Sequence, residues 1–186
     1  MNNAAIQRLA YKAGATRIDS NTYDDIRKLG ENYIKLIVKY AIIYCENENK
    51  KTISDTHVIH AIERVGLTSM YNVVGDVKKC GVSVKVKLIT RIKEYQNQHD
   101  CVVFSKAAIE REFRKFSGNA WRWSKEALVN AQFALEYMIY YIIYSALKIV
   151  VSNNRKTLTG SDIKVTTDII ATNCKTIFWN LSNIPE

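Results

Sequence analysis

Two short runs in this chain gather side chains that bind anionic oxygen. Lys50-Lys51-Thr52-Ile53-Ser54-Asp55-Thr56-His57-Val58 returns as Arg155-Lys156-Thr157-Leu158-Thr159-Gly160-Ser161-Asp162-Ile163, every position displaced by 105 residues, and the same displacement carries Arg17 onto Arg122. Both runs are basic, then hydroxylated, then apolar. Lysine and arginine supply charge, Thr52 and Thr157 supply hydroxyl donors, and a helix starting just afterwards would present free N–H groups and the positive end of its dipole. That chemistry suits phosphate. Catalytic chemistry has no comparable signal: no nucleophile with a base, no carboxylate pair and no phosphate-binding glycine loop stands at usable spacing. His57 and His60 are spaced for one helix face, but two ligands without a third do not make a metal site. Neither enzymatic activity, a metal nor a cofactor is expected.

A self-match at fixed offset means a duplicated unit, and each unit reads arginine, long apolar helix, basic loop, short helix. From Tyr23 to Glu48, Ile26, Leu29, Tyr33, Ile34, Ile37, Val38, Ala41 and Ile42 recur at three- and four-residue spacings, which predicts an amphipathic helix. Ser54 is the expected N-cap of a short helix carrying Val58, Ile59, Ala61 and Ile62, stopped by Gly66. The second unit has its long helix over Lys125 to Val151 and its short one from Thr159 or Gly160. Shorter helices are expected ahead of each arginine, over Ala4 to Ala13, ended by Gly14, and over Phe104 to Phe116, with Ile109, Phe113 and Phe116 inward. Val86 to Gln96 also has helical spacing.

Composition narrows the class. The 186 residues are 47% hydrophobic, with one proline and seven glycines, enough for a substantial core in an all-helical chain. A formal charge of +9 and a pI near 9.3 point to a polyanionic partner, nucleic acid first. The surplus is uneven: basic and acidic residues number 10 and 8 up to Gly66, 11 and 5 from Leu67 to Arg122, and 6 and 5 beyond. The middle third therefore reads as a surface lying on phosphate. Cys45, Cys80, Cys101 and Cys174 lack the spacing of a zinc site or a secreted scaffold, so free thiols in a reducing, intracellular setting are expected. No signal peptide is read at the start of the chain. Glu136 and Lys148 interrupt the most apolar run, Leu135 to Val151, leaving too little for a membrane span of ~20 residues.

Two units of this plan resemble the histone fold, and the chain resembles a fused pair of core histones over roughly residues 4 to 172. The first half resembles core histone four through Ala5-Ile6-Gln7-Arg8-Leu9-Ala10, Gly14, Arg17-Ile18, Tyr23-Asp24-Asp25-Ile26-Arg27, Lys51-Thr52 and Gly66. The second resembles core histone three through Ile92-Lys93-Glu94-Tyr95-Gln96, Arg111-Glu112, Arg122-Trp123 and Arg155 to Ile163. Doublets in this order resemble those of large DNA viruses. The resemblance implies an all-α chain whose two histone folds pair as an intramolecular handshake dimer. The corresponding divisions are 1–66, a linker with the second unit's extra N-terminal helix at 67–102, a second fold at 103–174, and a tail at 175–186.

The roles implied by the resemblance follow residue by residue. A head-to-tail handshake sets Arg17 near Arg155, Lys156 and Thr157, and Arg122 near Lys50, Lys51 and Thr52, making two DNA sites; Arg8, Lys12 and Arg111 on the short helices and Arg91 and Lys93 in the extra helix add further contacts. An internal bridge joins Arg155 to Asp162; with His57 at the matching place, the first loop is expected to be held less tightly, with Asp55 as the compensating carboxylate. Ile149, Ser152, Asp162 and Val165 match the face where two copies of core histone three meet, and Tyr44, His60 and Arg64 the face that docks another histone pair. The implied partners are double-stranded DNA, a second copy of the chain and a second histone pair, itself another doublet, with no membrane. The implied function is wrapping DNA into nucleosome-like particles, in the virion and in the viral replication compartment of the host cell, cytoplasm or nucleus. The alternative is a histone-fold transcription regulator that binds DNA or promoter factors without wrapping.

Overall fold

The order of elements repeats. Helix α1 (Asn3–Lys12), strand β1 (Arg17–Ile18), helix α2 (Thr22–Asn47), strand β2 (Thr52–Ile53) and helix α3 (Asp55–Val65) build the first unit; helix α4 (Lys106–Ser117), strand β3 (Arg122–Trp123), helix α5 (Lys125–Ser152), strand β4 (Thr157–Leu158) and helix α6 (Gly160–Cys174) build the second. The computed structural model describes residues 1–65 and 103–174, with the backbone alone at 171–174. Gly66, the linker with the helix expected over Val86 to Gln96, and the tail lie outside the described residues.

The duplication extends to single hydrogen bonds. Both long helices run into an asparagine with left-handed backbone, Asn49 at φ 54° and Asn154 at φ 52°, again 105 residues apart. Asparagine tolerates this conformation better than most residues. The chain then turns back identically: Lys50 N donates to Cys45 O at 3.0 Å, and Arg155 N to Val150 O at 2.9 Å.

The two units run head to tail. Strand β1 lies parallel to β4 with Arg17 opposite Thr157, and β2 parallel to β3 with Thr52 opposite Arg122. Helix α2 packs on α4, α5 and α6 of the other unit, and α5 receives α1 and α3. Ile34, Ile37 and Ala41 of α2 and Leu135, Ile139, Ile142 and Ile143 of α5 are thereby sealed from solvent. Full burial of one large aliphatic side chain stabilises the fold by about 1.5–3 kcal/mol.

Helix α5 is 28 residues long and, by length and composition alone, could cross a membrane, so Glu136 and Lys148 do not shorten its apolar run as far as expected. Its apolar positions are instead occupied by packing against α1, α3 and α6. Glu136 is 1% exposed, and its carboxylate accepts from Val103 N at 3.2 Å and Phe104 N at 2.9 Å. Gln132, one turn away, donates to Phe104 O at 2.7 Å. Burial pushes the Glu136 carboxyl up, against the pull of the two N–H groups and the Gln132 amide.

That arrangement also corrects the start of α4. The backbone of Val103 and Phe104 is committed to Glu136, so the helix begins at Lys106, with Ser105 Oγ accepting from Ala108 N at 3.2 Å as its cap. Ile109 and Phe113 face inward as expected, whereas Phe116 is only partly buried, with the ammonium groups of Lys35 and Lys115 over its ring at 5.6 and 5.2 Å. Phe113 is solvent-free and meets Trp123 edge-on at 5.1 Å. Phe113→Ala should cost about 3–5 kcal/mol of unfolding free energy, read as a lower midpoint in urea.

Candidate nucleic-acid interface

Each strand pair binds a first loop of one unit to a second loop of the other. At the β1/β4 end, Thr16 Oγ1 donates to Lys156 O at 3.0 Å and Asp19 N to Leu158 O at 2.9 Å; Arg17, Arg155 and Lys156 are exposed there and Thr157 is half-buried. At the β2/β3 end, Arg122 N donates to Lys51 O at 3.1 Å and Ser124 N to Ile53 O at 2.9 Å, with Lys50, Lys51, Thr52 and Arg122 all exposed. The expected neighbourhoods of Arg17 and Arg122 are therefore both formed. Each is a cluster of cations with a threonine hydroxyl on a rigid backbone bridge, able to hold phosphate oxygens.

Beneath the clusters the two second loops are braced differently. Arg155 grips Asp162 with two guanidinium hydrogen bonds of 3.0 and 2.5 Å, and Asp162 also accepts from Thr159 N at 3.0 Å and Thr159 Oγ1 at 2.7 Å. Burial by itself would raise the Asp162 carboxyl; the Arg155 and Thr159 donors outweigh it and hold it below its ordinary value. In the first unit the fully buried His57 stands at that place, and its Nδ1 accepts from Ser54 N at 3.1 Å, the same task that Asp162 performs for Thr159 N. An accepting Nδ1 leaves the proton on Nε2.

The missing carboxylate comes from Glu48, not from Asp55. Glu48 Oε2 lies 2.7 Å from Lys50 Nζ and 3.0 Å from His57 Nε2, the latter close but poorly aligned as a hydrogen bond. The Lys50 ammonium first, and His57 second, hold the Glu48 carboxyl down at about 2. The loop thus keeps an anion, drawn from the end of α2 and not from Asp55. Ser54 stands at the start of α3 as expected, and its Oγ pairs with Thr56 Oγ1 at 2.7 Å, as Thr159 Oγ1 does with Ser161 Oγ at 2.9 Å. No short motif singles out Glu48 or Glu136; Asn49 and Asn154, in contrast, are legible as a repeated asparagine after each long helix.

Comparison with known proteins agrees with this geometry. Residues 2–62 match the family described as histone-like transcription factor (CBF/NF-Y) and archaeal histone. The chain is 38% identical over 64 residues to the major Histone H4 of Tetrahymena pyriformis and to Histone H4 of Tetrahymena thermophila. Those matches take in 34% of this chain and span 62% of the relatives' length. Among solved structures, the crystal structure of the histone from Methanopyrus kandleri is similar with a TM-score of 0.60 and 18% identity, over 90% of this chain and 93% of that one. The fold is the histone fold. Because the structural likeness spans nearly the whole chain, it includes both units.

Set on the paired histone folds, the other expected site residues separate. Arg8 reaches across to Val103 O at 3.4 Å, and Lys12 lies close enough to Glu136 to lower its carboxyl pKa; both contacts are made to the second unit. Arg111 is exposed on α4, its Nε donating to Ala107 O at 3.3 Å. Arg91 and Lys93 lie outside the described residues. Asp162 is 3% exposed, its oxygens taken by its own loop. Ser152 Oγ turns back to Ile149 O at 2.9 Å, and Ile149 is half-buried. Val165 does stand out at 46% exposure, with Ile169 one turn on and Val151 at the end of α5, two residues the motif match does not include. Tyr44 and His60 meet with ring centroids 5.5 Å apart, His60 Nδ1 lies 3.2 Å from Glu63 Oε2, and Arg64 is exposed beside them.

The loop carboxylate predicts an acid response. A Glu48 carboxyl that ionises near 2 instead of the ordinary 4.5 stabilises the folded chain above the upper value, and that contribution is lost as pH falls toward the lower one. The urea midpoint should fall across this window, and fall less in Glu48→Gln.

Proposed function

We propose that this chain is a non-enzymatic, architectural DNA-packaging protein that wraps double-stranded DNA into nucleosome-like particles without sequence specificity. The observation that carries the reading is that both paired-loop ends are complete, each with exposed cations and a threonine. The 26-residue α2 separates them, about 39 Å at 1.5 Å per residue, on the order of one DNA turn of ~34–36 Å. Cation clusters so spaced suit successive inward-facing turns of a bent duplex, a mode in which histone octamers use arginines in the minor groove without base-specific contacts. The histones named above support the reading by their family.

The finer reading is a doublet whose halves are like core histones four and three, of the kind found in large DNA viruses, at work in the virion and the viral replication compartment. Two copies join through Val165 and Ile149 with Ser152 at the margin; the apolar neighbours Val151 and Ile169 extend that face and Asp162 stays within its own loop. The Tyr44, His60 and Arg64 face takes a second histone pair, another doublet. A second reading, a histone-fold transcription regulator, is favoured by the family description matched over residues 2–62. Footprint length separates the two, since wrapping protects far more DNA than one handshake covers.

Binding is expected to be tolerant of sequence, with each neutralised phosphate adding ~0.9 to the slope of log affinity against log salt; unrelated duplexes differing by orders of magnitude, or a slope near zero, would sink the proposal. Arg122→Ala should weaken binding and leave the melting temperature close to wild type, because the side chain is exposed in a loop. A large drop in melting temperature would make Arg122 structural instead. Nuclease digestion of reconstituted DNA should show a longer protected length when a partner doublet is added; equal lengths with no partner detected by mass would remove the partner from the reading.

A further inference from the structure

The two ends of the handshake carry their loop anions at different depths. At the β1/β4 end the Asp162 side chain is 4% exposed and turned under Arg155, which itself remains 39% exposed. Arginine has five N–H donors in a planar fork, and Asp162 takes up two of its nitrogens, so the outer donors of Arg155 still face solvent beside Lys156. At the β2/β3 end the anion is Glu48, 44% exposed, and Lys50 Nζ is held by it at 2.7 Å. Lysine presents one compact charge instead of a fork. A phosphate approaching Lys50 meets a fixed carboxylate at contact distance and must share or displace it.

The cause is the residue at His57. With Asp162 at the equivalent position, the second loop needs no further acid, and Asn153 stands where the first unit has Glu48. Buried His57 offers no negative charge, and Glu48 brings its carboxylate from the loop surface to 3.0 Å from His57 Nε2, close but poorly aligned. The exchange keeps the loop braced and leaves the anion on the face where phosphate would sit.

We propose that Glu48 restrains phosphate binding at the β2/β3 end by holding Lys50, making this the weaker of the two DNA ends and the one that releases first. The inference rests on the DNA-binding reading above and specifies how that site is tuned. It is tested with the full chain and a duplex of mixed sequence, by fluorescence anisotropy over a salt series, comparing wild type, Glu48→Gln and Glu46→Gln. The last makes the same charge change two residues away on an exposed position. Glu48→Gln should bind several-fold tighter with a salt slope steeper by about 0.9, one additional phosphate, while Glu46→Gln leaves the slope unchanged. Equal effects of the two variants, or no tightening by Glu48→Gln, would overturn the inference while leaving DNA binding itself intact. Wild type without salt-dependent binding would overturn both. Should Glu48→Gln loosen the fold, the triple variant Glu48→Asn, Lys50→Arg, His57→Asp copies the second loop's Asn153, Arg155 and Asp162; it should melt near wild type and bind tighter, and a folded triple variant that binds no tighter refutes the proposal.

Discussion

A helix whose apolar residues occupy most of its circumference cannot stay in water alone, and α5 is such a helix. Thirteen of its 28 residues are buried, more than one covering neighbour can account for. It is covered by α6 of its own unit and by α1, α2 and α3 of the other, so neither histone fold is complete by itself. Joining the two in one chain makes that mutual cover intramolecular and independent of protein concentration, since loop closure costs free energy that grows only slowly with linker length.

Head-to-tail cover has a geometrical result at each end. The second loop of one unit is brought against the first loop of the other, and two parallel two-residue bridges lock the pair. Cations distant in sequence are thereby clustered on rigid backbone. The field at each end is a product of the packing, since the burial of apolar helix faces brings two basic loops side by side.

Two polar groups drawn into this core are accommodated in unlike ways. Glu136 is covered by the backbone N–H groups of Val103 and Phe104, which fixes where the chain enters the second unit and delays the start of α4. His57 replaces a buried carboxylate and recruits Glu48 from the surface. The first solution pins the junction of the units. The second changes the electrostatics of a loop face.

The sequence by itself determined the duplication, the two long helices and the identity of the paired-loop cations, because these rest on periodicity and a fixed offset that local chemistry imposes residue by residue. The left-handed conformation of Asn49 and Asn154, at the same place after each helix, was seen only in the structure. Tertiary structure alone decided the rest. That Asp162 faces its own loop, that Glu48 and not Asp55 partners Lys50 and His57, that Arg8 reaches the second unit, and that Glu136 is a buried clasp and not a break in the apolar run all depend on which groups meet across the fold. A carboxylate in a sequence has no depth. Whether it is a buried brace or an exposed charge is set by the neighbours that packing brings to it, and here two equivalent loops resolve the same need in opposite ways.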